Sequence, residues 1–535
     1  MSTASLWGGE SHPPCLFTAL LKTVAGQPDA IAVADGEDDV SYAGLLRWAR
    51  GIALLLDEQG VAPGDPVAVT GERSAAIVAA MLGVTLLGAV YVPLDPEYPA
   101  SRLQYMLQDS GAKVLLHHGT APALDSAATP LAIPALNTMA YSEDELAARE
   151  PVTCDADTAF YSIYTSGSTG WPKGVAIPHS CLDNMVQWQA AHSPRPDLRT
   201  AQFAPLNFDV FFQEVLGTLR GGGTVVIVPE RLRRDPVGLL DWLAEQRIER
   251  LFLPFVALQM LATVVEATPD LGGVRLVEVN TAGEQLVATE QIRAMFRRLP
   301  NARLVNHYGQ SESAMVSSYV LAEDPGTWPA LPPIGVPLPG CELLVDPEDE
   351  DTPTVGELLV AGLPVSLGYT RRPELTAERF VTVEPTPRGH TRVFRTGDLV
   401  SLRDGVVQFL SRIDDDVKIR GYRVNLTEVD VHLLSQPGVK AAACVAVETS
   451  TGTRNLRAAV AAAPDGPPPD GPAVLERLRQ ILPEASVPLS LSILPDLPRT
   501  PSGKTDRDAV AELIAADIRN RQEGMGSAWT RSPRP

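Results

Sequence analysis

The sequence is short of positive charge. Its 535 residues carry 44 Lys and Arg against 65 Asp and Glu, a formal charge of −21. Such a chain repels nucleic acid and anionic lipid, and no Lys/Arg cluster offsets the imbalance, so no nucleic-acid partner is expected. Cysteine is scarce as well. Cys15, Cys154, Cys181, Cys341 and Cys444 are odd in number, widely separated and without C-x-x-C spacing, which argues for free thiols in a reducing compartment. The N-terminus lacks a basic segment leading into an apolar run, so no secretion signal is expected and a cytoplasmic location follows. One uncharged stretch, Ala75 to Leu94, is long enough to suggest a membrane span. Gly83 and Gly88 interrupt it, and Ala89–Pro93 reads as a short strand stopped by proline. A buried helix followed by a strand is the expectation, with no membrane partner.

What the chain has is apolar residues, 45% of the total, over more length than one core usually serves. At least two folded units are expected. Strand-like runs at Pro66–Val69, Lys113–Leu116, Thr224–Val228 and Arg250–Leu253 alternate with helical stretches such as Ala43–Gln59 and Pro236–Gln246. That alternation implies parallel sheets covered by helices, an α/β fold. Near Ile413–Asp416 the pattern changes to a compact tail, with strands at Lys418–Arg423 and Ala441–Val447 and a helix at Pro472–Ile481. Five prolines between Pro464 and Pro472 make that stretch an exposed loop.

The most informative stretch is Tyr164-Thr165-Ser166-Gly167-Ser168-Thr169-Gly170-Trp171-Pro172-Lys173-Gly174. Small hydroxyl residues and glycines let a backbone wrap closely around phosphate oxygens. Lys173 adds a mobile positive charge suited to a departing pyrophosphate. The Walker-A template fails here, because Pro172 precedes the lysine in place of glycine and Gly174 follows it in place of Ser or Thr. A flexible linker is the plain alternative. Against it, the strand-like Phe160–Tyr164 leads in and a Pro-Lys-Gly turn leads out.

Further motifs stand in order along the chain: Tyr91-Val92-Pro93-Leu94-Asp95-Pro96, Asn306-His307-Tyr308-Gly309-Gln310-Ser311-Glu312, Gly356-Glu357-Leu358 and Gly368-Tyr369. Phe394-Arg395-Thr396-Gly397-Asp398-Leu399, Val417-Lys418-Ile419-Arg420-Gly421 and Ser502-Gly503-Lys504 complete the set. From about Ser41 to Arg507 the chain resembles the adenylate-forming superfamily, specifically the amino-acid adenylation domains of nonribosomal peptide synthesis. The resemblance implies a large N-terminal domain of layered α/β sheets, residues 1–412, and a small mobile α+β domain, residues 413–535, with Asp414 as the hinge. One face of the small domain would close over ATP and the other open a thiol tunnel beside Gly421.

The resemblance also implies ATP and Mg²⁺ as cofactors. ATP contacts fall on Thr165, Ser166, Gly167, Ser168, Thr169, Gly170 and Gly283. Asn306 would read the adenine amino edge, Tyr308 would lie against the ring, Asp398 would take both ribose hydroxyls, and Arg412 would approach the ribose. Glu312, with Thr165, would hold Mg²⁺, a hard ion suited to one carboxylate plus phosphate oxygens. Lys173 and Lys504 would be the catalytic lysines, Lys504 bridging the substrate carboxylate and an α-phosphate oxygen. Gln310 and Ser311 depart from the proline and threonine common in the family. Alone, Glu312 reads as a solvated acid, Arg412 as a surface arginine and Ser502-Gly503-Lys504 as a turn; the motif order is what assigns them.

Asp209, in Asn207-Phe208-Asp209, matches the family's partner for the α-ammonium of an amino acid. Opposite charges about 4 Å apart at an effective dielectric of about 20 attract by roughly 4 kcal/mol. Leaving either one buried alone costs on the order of 3–5 kcal/mol, enough to reject a fatty acid. The other matching positions are Val210, Gln213, Phe252, Asn280, Ala282, His307, Met315 and Val316, a mostly apolar and uncharged wall. Phe252 and Met315 shorten the cavity, so a small neutral L-amino acid of alanine to proline size is expected. Asn280 and Met315 depart from proline-type pockets, which leaves alanine and proline both open. Gln213 and His307 also read as ordinary buried polar residues. No carrier domain follows Lys504, so transfer to the phosphopantetheine thiol of a separate carrier protein, in trans, is expected. The expected enzyme is an amino-acid adenylating ligase of the kind that loads carriers in antibiotic pathways. An acyl- or aryl-CoA ligase acting on a simple carboxylic acid is the alternative.

Overall fold

The uncharged run that begins at Ala75 forms a helix, Ala75–Leu86, followed by a strand, Val90–Leu94. Every residue of that helix is buried, so it needs no polar face. Gly83 lets it approach the helix Tyr42–Glu58 closely, since a Cβ there would stand 2.8 Å from Ala49 O and from Ile52. The strand runs through Pro93 instead of stopping at it. Proline is tolerated because pairing with Ala159–Thr165 is confined to Tyr91↔Tyr161, while the other edge pairs throughout with Pro66–Thr70. Among the described residues no helix is long and apolar enough to cross a membrane.

The computed structural model describes residues 4–13, 15–36, 38–138, 141–152, 157–166, 170–347, 351–413, 416–449, 453–462, 469–498 and 505–516. The chain divides into two units, one of Met1–Pro96, Leu103–Thr165 and Lys173–Asp414, the other of Glu97–Arg102, Ser166–Pro172 and Asp415–Pro535.

The larger unit holds three sheets. One has nine strands, and its centre is parallel: Arg303–Gln310, Glu278–Thr281, Arg250–Leu253, Arg199–Gln202, Thr224–Ile227 and Ile31–Asp35. Ala314–Val320 adds to the Arg303–Gln310 edge antiparallel, with a register shift between Tyr308 and Gly309. The second sheet, of seven strands, is parallel from Ala159–Thr165 through Val90–Leu94, Pro66–Thr70 and Val114–His117 to Thr129–Ala132, and Lys173–Pro178 joins it antiparallel. The third, of six strands, is antiparallel and includes Arg392–Arg403 paired with Val406–Arg412. The α/β expectation thus holds, with strands and helices at the predicted places. The helix Tyr42–Glu58 starts one residue early because Ser41 Oγ accepts from Gly44 N at 3.1 Å.

In the smaller unit, Lys418–Arg423 is not one strand. Asp416–Ile419 and Tyr422–Asn425 form a hairpin, turned by Arg420 at φ +52° and Gly421 at φ +85°, the left-handed geometry of a two-residue turn. Beyond it lie the helix Leu426–Leu434 and a three-stranded sheet of Val439–Glu448, Arg454–Ala462 and Leu491–Leu494. The helix Gly471–Arg479 takes Pro472 into its first turn and Asp470 as its cap, so the proline-rich loop ends two residues before Pro472. Residues 463–468 of that loop lie outside the described residues.

Candidate active site

The phosphate-loop sequence is entered and left by two antiparallel strands, with Thr165 and Lys173 facing each other across the ladder. Thr165 Oγ1 is buried and has no hydrogen-bond partner among the described residues. Gly170 takes φ +85°, a conformation that favours glycine. Gly167, Ser168 and Thr169 lie outside the described residues, as do Asp414 and Lys504.

Lys173 Nζ donates to the Tyr369 hydroxyl at 3.0 Å and lies 3.6 Å from Glu312 Oε1. Tyr369 in turn donates to the same Glu312 oxygen at 2.8 Å. Its ring centre is 4.1 Å from the ammonium, a cation–π contact as well. Glu312 is completely buried, so the acid is not the solvated surface group that it resembles in isolation. One buried carboxylate and one orphaned hydroxyl make a donor set that suits Mg²⁺ when phosphate oxygens complete the shell. Motif reasoning assigns Tyr369 no role; its only signal is its place in the Gly368-Tyr369 pair.

Asp398 and Arg412 face each other on neighbouring strands, and Arg412 Nη1 donates to Asp398 Oδ1 at 2.7 Å. The Tyr308 hydroxyl also donates to Asp398. Burial first, and then the aspartate, push the Tyr308 phenol well above its ordinary pKa. Gln310, the residue that departs from the family pattern, donates to Asp398 Oδ2 at 2.5 Å and to Thr396 O at 3.2 Å. A proline there could not make either contact. Asn306 Nδ2 donates to Pro333 O at 2.8 Å, which leaves its carbonyl oxygen as the acceptor of that side chain. Gly283 takes φ +84°.

Asp209 opens the helix Asp209–Gly221, where a negative charge is favoured by the helix dipole. It is half-buried, and Oδ1 accepts from Val210 N at 2.9 Å. Its charge reaches the Tyr161 phenol and the Cys181 thiol; burial raises both pKa values and Asp209 adds to the rise. One turn further, Glu214 holds the approach to this helix by accepting from Phe203 N and Ala204 N at 3.1 Å.

Gln213, on the same helix, donates to His307 Nδ1 at 3.4 Å and to Met315 Sδ at 3.6 Å. The His307 ring meets the Phe252 ring at 6.2 Å and the Trp188 ring at 5.6 Å between centroids. Asn280 lines one cavity with His307. The structure therefore brings Gln213, Phe252, Asn280, His307 and Met315 together. Val210 is half-buried against the central core, and Ala282 is half-buried one residue past the strand Glu278–Thr281. Val316, next to Met315, belongs to a separate apolar cluster with Val175 and Ile334.

The family comparison decides the membership of this fold. AMP-binding enzymes match residues 20–370, and the C-terminal domain of AMP-binding enzymes matches residues 428–504. The chain belongs to the AMP-binding enzyme family. This AMP-binding enzyme is similar to tyrocidine synthase 2 of Brevibacillus parabrevis, 34% identical over 90% of this chain and 13% of that protein. It is also similar to phenyloxazoline synthase MbtB of Mycobacterium sp. (strain MCS), 33% identical over 98% of this chain and 44% of that protein. The chain thus spans less than half the length of these curated relatives. Among solved structures, holo-PA1221, a nonribosomal peptide synthetase protein with adenylation and PCP domains, matches with a TM-score of 0.78 at 28% identity, over 93% of this chain and 84% of that one. The amide bond synthetase McbA of Marinactinospora thermotolerans matches with a TM-score of 0.80 at 26% identity, over 92% and 99%.

Proposed function

We propose that this AMP-binding enzyme adenylates a small neutral L-amino acid, of alanine to proline size, and then passes the aminoacyl group to the phosphopantetheine thiol of a carrier protein supplied in trans. The observation that carries the reading is Asp209, one helical turn before Gln213, whose cluster with His307, Phe252 and Met315 is uncharged. A half-buried acid at a helix N-terminus gains most from a cation beside it, and an amino acid brings one next to the carboxylate that reacts.

In the first step a substrate carboxylate oxygen bonds to the α-phosphorus of ATP, and the bond from that phosphorus to the β-phosphate bridging oxygen breaks. Pyrophosphate leaves with the electron pair. Asp209 orients the amino acid through its ammonium, and Lys173 stabilises the departing charge while Tyr369 and Glu312 hold its ammonium in place. Glu312 and Thr165 would hold Mg²⁺, which supplies positive charge to the phosphates when bound. Asp398, aimed by Tyr308, Gln310 and Arg412, takes the ribose hydroxyls with its remaining lone pairs, and Asn306 accepts from the adenine amino group. Lys504 comes from the domain that begins at residue 413 and pivots near Asp414; it bridges carboxylate and phosphate in the closed form. In the second step the thiol gives up its proton to water, its sulfur bonds to the acyl carbon, and AMP leaves with the electrons of the broken anhydride bond. A cytoplasmic location is part of the same reading, since the reaction needs ATP and a reduced thiol.

The test is ATP–pyrophosphate exchange over the twenty amino acids and a set of β-amino acids, followed by loading of an isolated carrier protein. Exchange with a small neutral amino acid supports the reading. Exchange with simple carboxylic acids alone would replace it with an acyl- or aryl-CoA ligase.

A further inference from the structure

Glu278 is buried and neutralised from two sides. Arg250 Nε donates to its Oε1 at 2.7 Å, and Arg303 Nε to its Oε2 at 3.0 Å. Asn280 lies two residues further on the same strand, so it shares the face, and its Nδ2 donates to Glu278 Oε1 at 3.3 Å. An ionised carboxylate only accepts, which orients the Asn280 amide with nitrogen towards Glu278 and leaves Oδ1 as its acceptor.

His307 is oriented by the same kind of argument. The Gln213 amide nitrogen can only donate, so Nδ1 of the ring accepts from it. Burial lowers the His307 pKa to about 4, and a neutral ring whose Nδ1 accepts carries its proton on Nε2. That Nε2–H is buried and has no partner among the described residues, and the residue is only 5% exposed. Asn280 and His307 line one cavity, together with Gln189, whose amide nitrogen and oxygen are likewise without partners among the described residues. An unmet buried donor costs on the order of 1–3 kcal/mol. A ligand that accepts from it relieves that cost.

We propose that the amino acid selected by this pocket carries a hydroxyl on its side chain, accepting from His307 Nε2–H and donating to Asn280 Oδ1. This rests on the reading of Asp209 as the ammonium partner and narrows the substrate within it. A hydroxyl is the smallest group that both accepts and donates, and the cavity shared by Asn280 and His307 is small. The side chains of alanine and proline would leave His307 Nε2–H unmet. A cationic side chain finds no free acid there, because Glu278 is already matched by Arg250 and Arg303.

The experiment compares matched pairs in pyrophosphate exchange: alanine with serine, 2-aminobutyrate with threonine, and proline with 4-hydroxyproline, with asparagine as the carboxamide control. The hydroxylated member of at least one pair is expected to exceed its partner at least tenfold in kcat/KM, in line with sites built to bond a substrate hydroxyl. In Asn280→Leu and His307→Phe that ratio is expected to fall towards one. The wild-type pairs decide the matter even where a variant does not fold. Equal or better use of the unhydroxylated members, or a preference for asparagine, overturns the hydroxyl assignment while leaving amino-acid adenylation standing. Exchange with no amino acid at all removes both.

Discussion

Tyr369 donates to Glu312 Oε1 at 2.8 Å while its own oxygen accepts from Lys173 at 3.0 Å. One phenol thus joins the lysine that leaves the phosphate-loop sequence to the carboxylate proposed to hold Mg²⁺. The two charged groups themselves stand 3.6 Å apart as an ion pair.

If that bridge positions Lys173, Tyr369→Phe should lower kcat for pyrophosphate exchange by about 10- to 100-fold, the equivalent of one hydrogen bond to a charged group. The half-saturating Mg²⁺ concentration should move with it, since Glu312 loses a donor. An unchanged Mg²⁺ dependence with normal kcat would make Tyr369 a packing residue only.

On the proposed reading, Asp209→Ala removes the partner of the α-ammonium. Loss of a buried ion-pair partner costs on the order of 3–5 kcal/mol, so amino-acid-dependent exchange should fall by about a hundredfold or more. ATP binding, followed by calorimetry, should change little. Full amino-acid use in this variant would refute the pocket assignment.

If Lys504 serves as proposed, Lys504→Ala should leave amino-acid binding largely intact and collapse adenylate formation, because one positive charge at the reacting phosphate is worth about 10²–10³ in rate. Wild-type exchange in that variant would remove the lysine from the mechanism.

The pH dependence of stability has a definite sign. Burial lowers His179 and His307 from the ordinary 6.5 to about 4. Between those values the unfolded chain binds protons that the native state does not, so stability falls as pH drops from 6.5 towards 4. With about 1.4 kcal/mol per pH unit, His307 alone accounts for about 3 kcal/mol of that loss. Urea titrations at pH 7 and pH 5 should show the decline, and His307→Phe should lessen it, leaving the part due to His179. A midpoint independent of pH in the wild type would contradict the buried, neutral rings.

Much of the architecture is legible in the sequence because it is local. Apolar runs of strand length and amphipathic stretches locate Arg250–Leu253 and Pro236–Glu245 to within a residue. The pattern misleads where a short contact decides: the pairing that tolerates Pro93, and the left-handed turn at Arg420 and Gly421. In the candidate site, Asp209, Glu312 and Asp398 are legible from motifs. Tyr369, and the contact that turns Gln310 from a departure into a donor to Asp398, are not. Tyr369 is 57 residues from Glu312, and Gln310 is 88 from Asp398; no periodicity spans such separations.

By itself the sequence determined the fold class and the family, and it named the groups proposed for phosphate, ribose and ammonium, since these depend on residue type and order. Only the tertiary structure decided how those groups are aimed. Glu278 became the pivot for Asn280, and Gln213 set the tautomer of His307, because a hydrogen bond has a direction that emerges only when distant strands and helices are packed side by side.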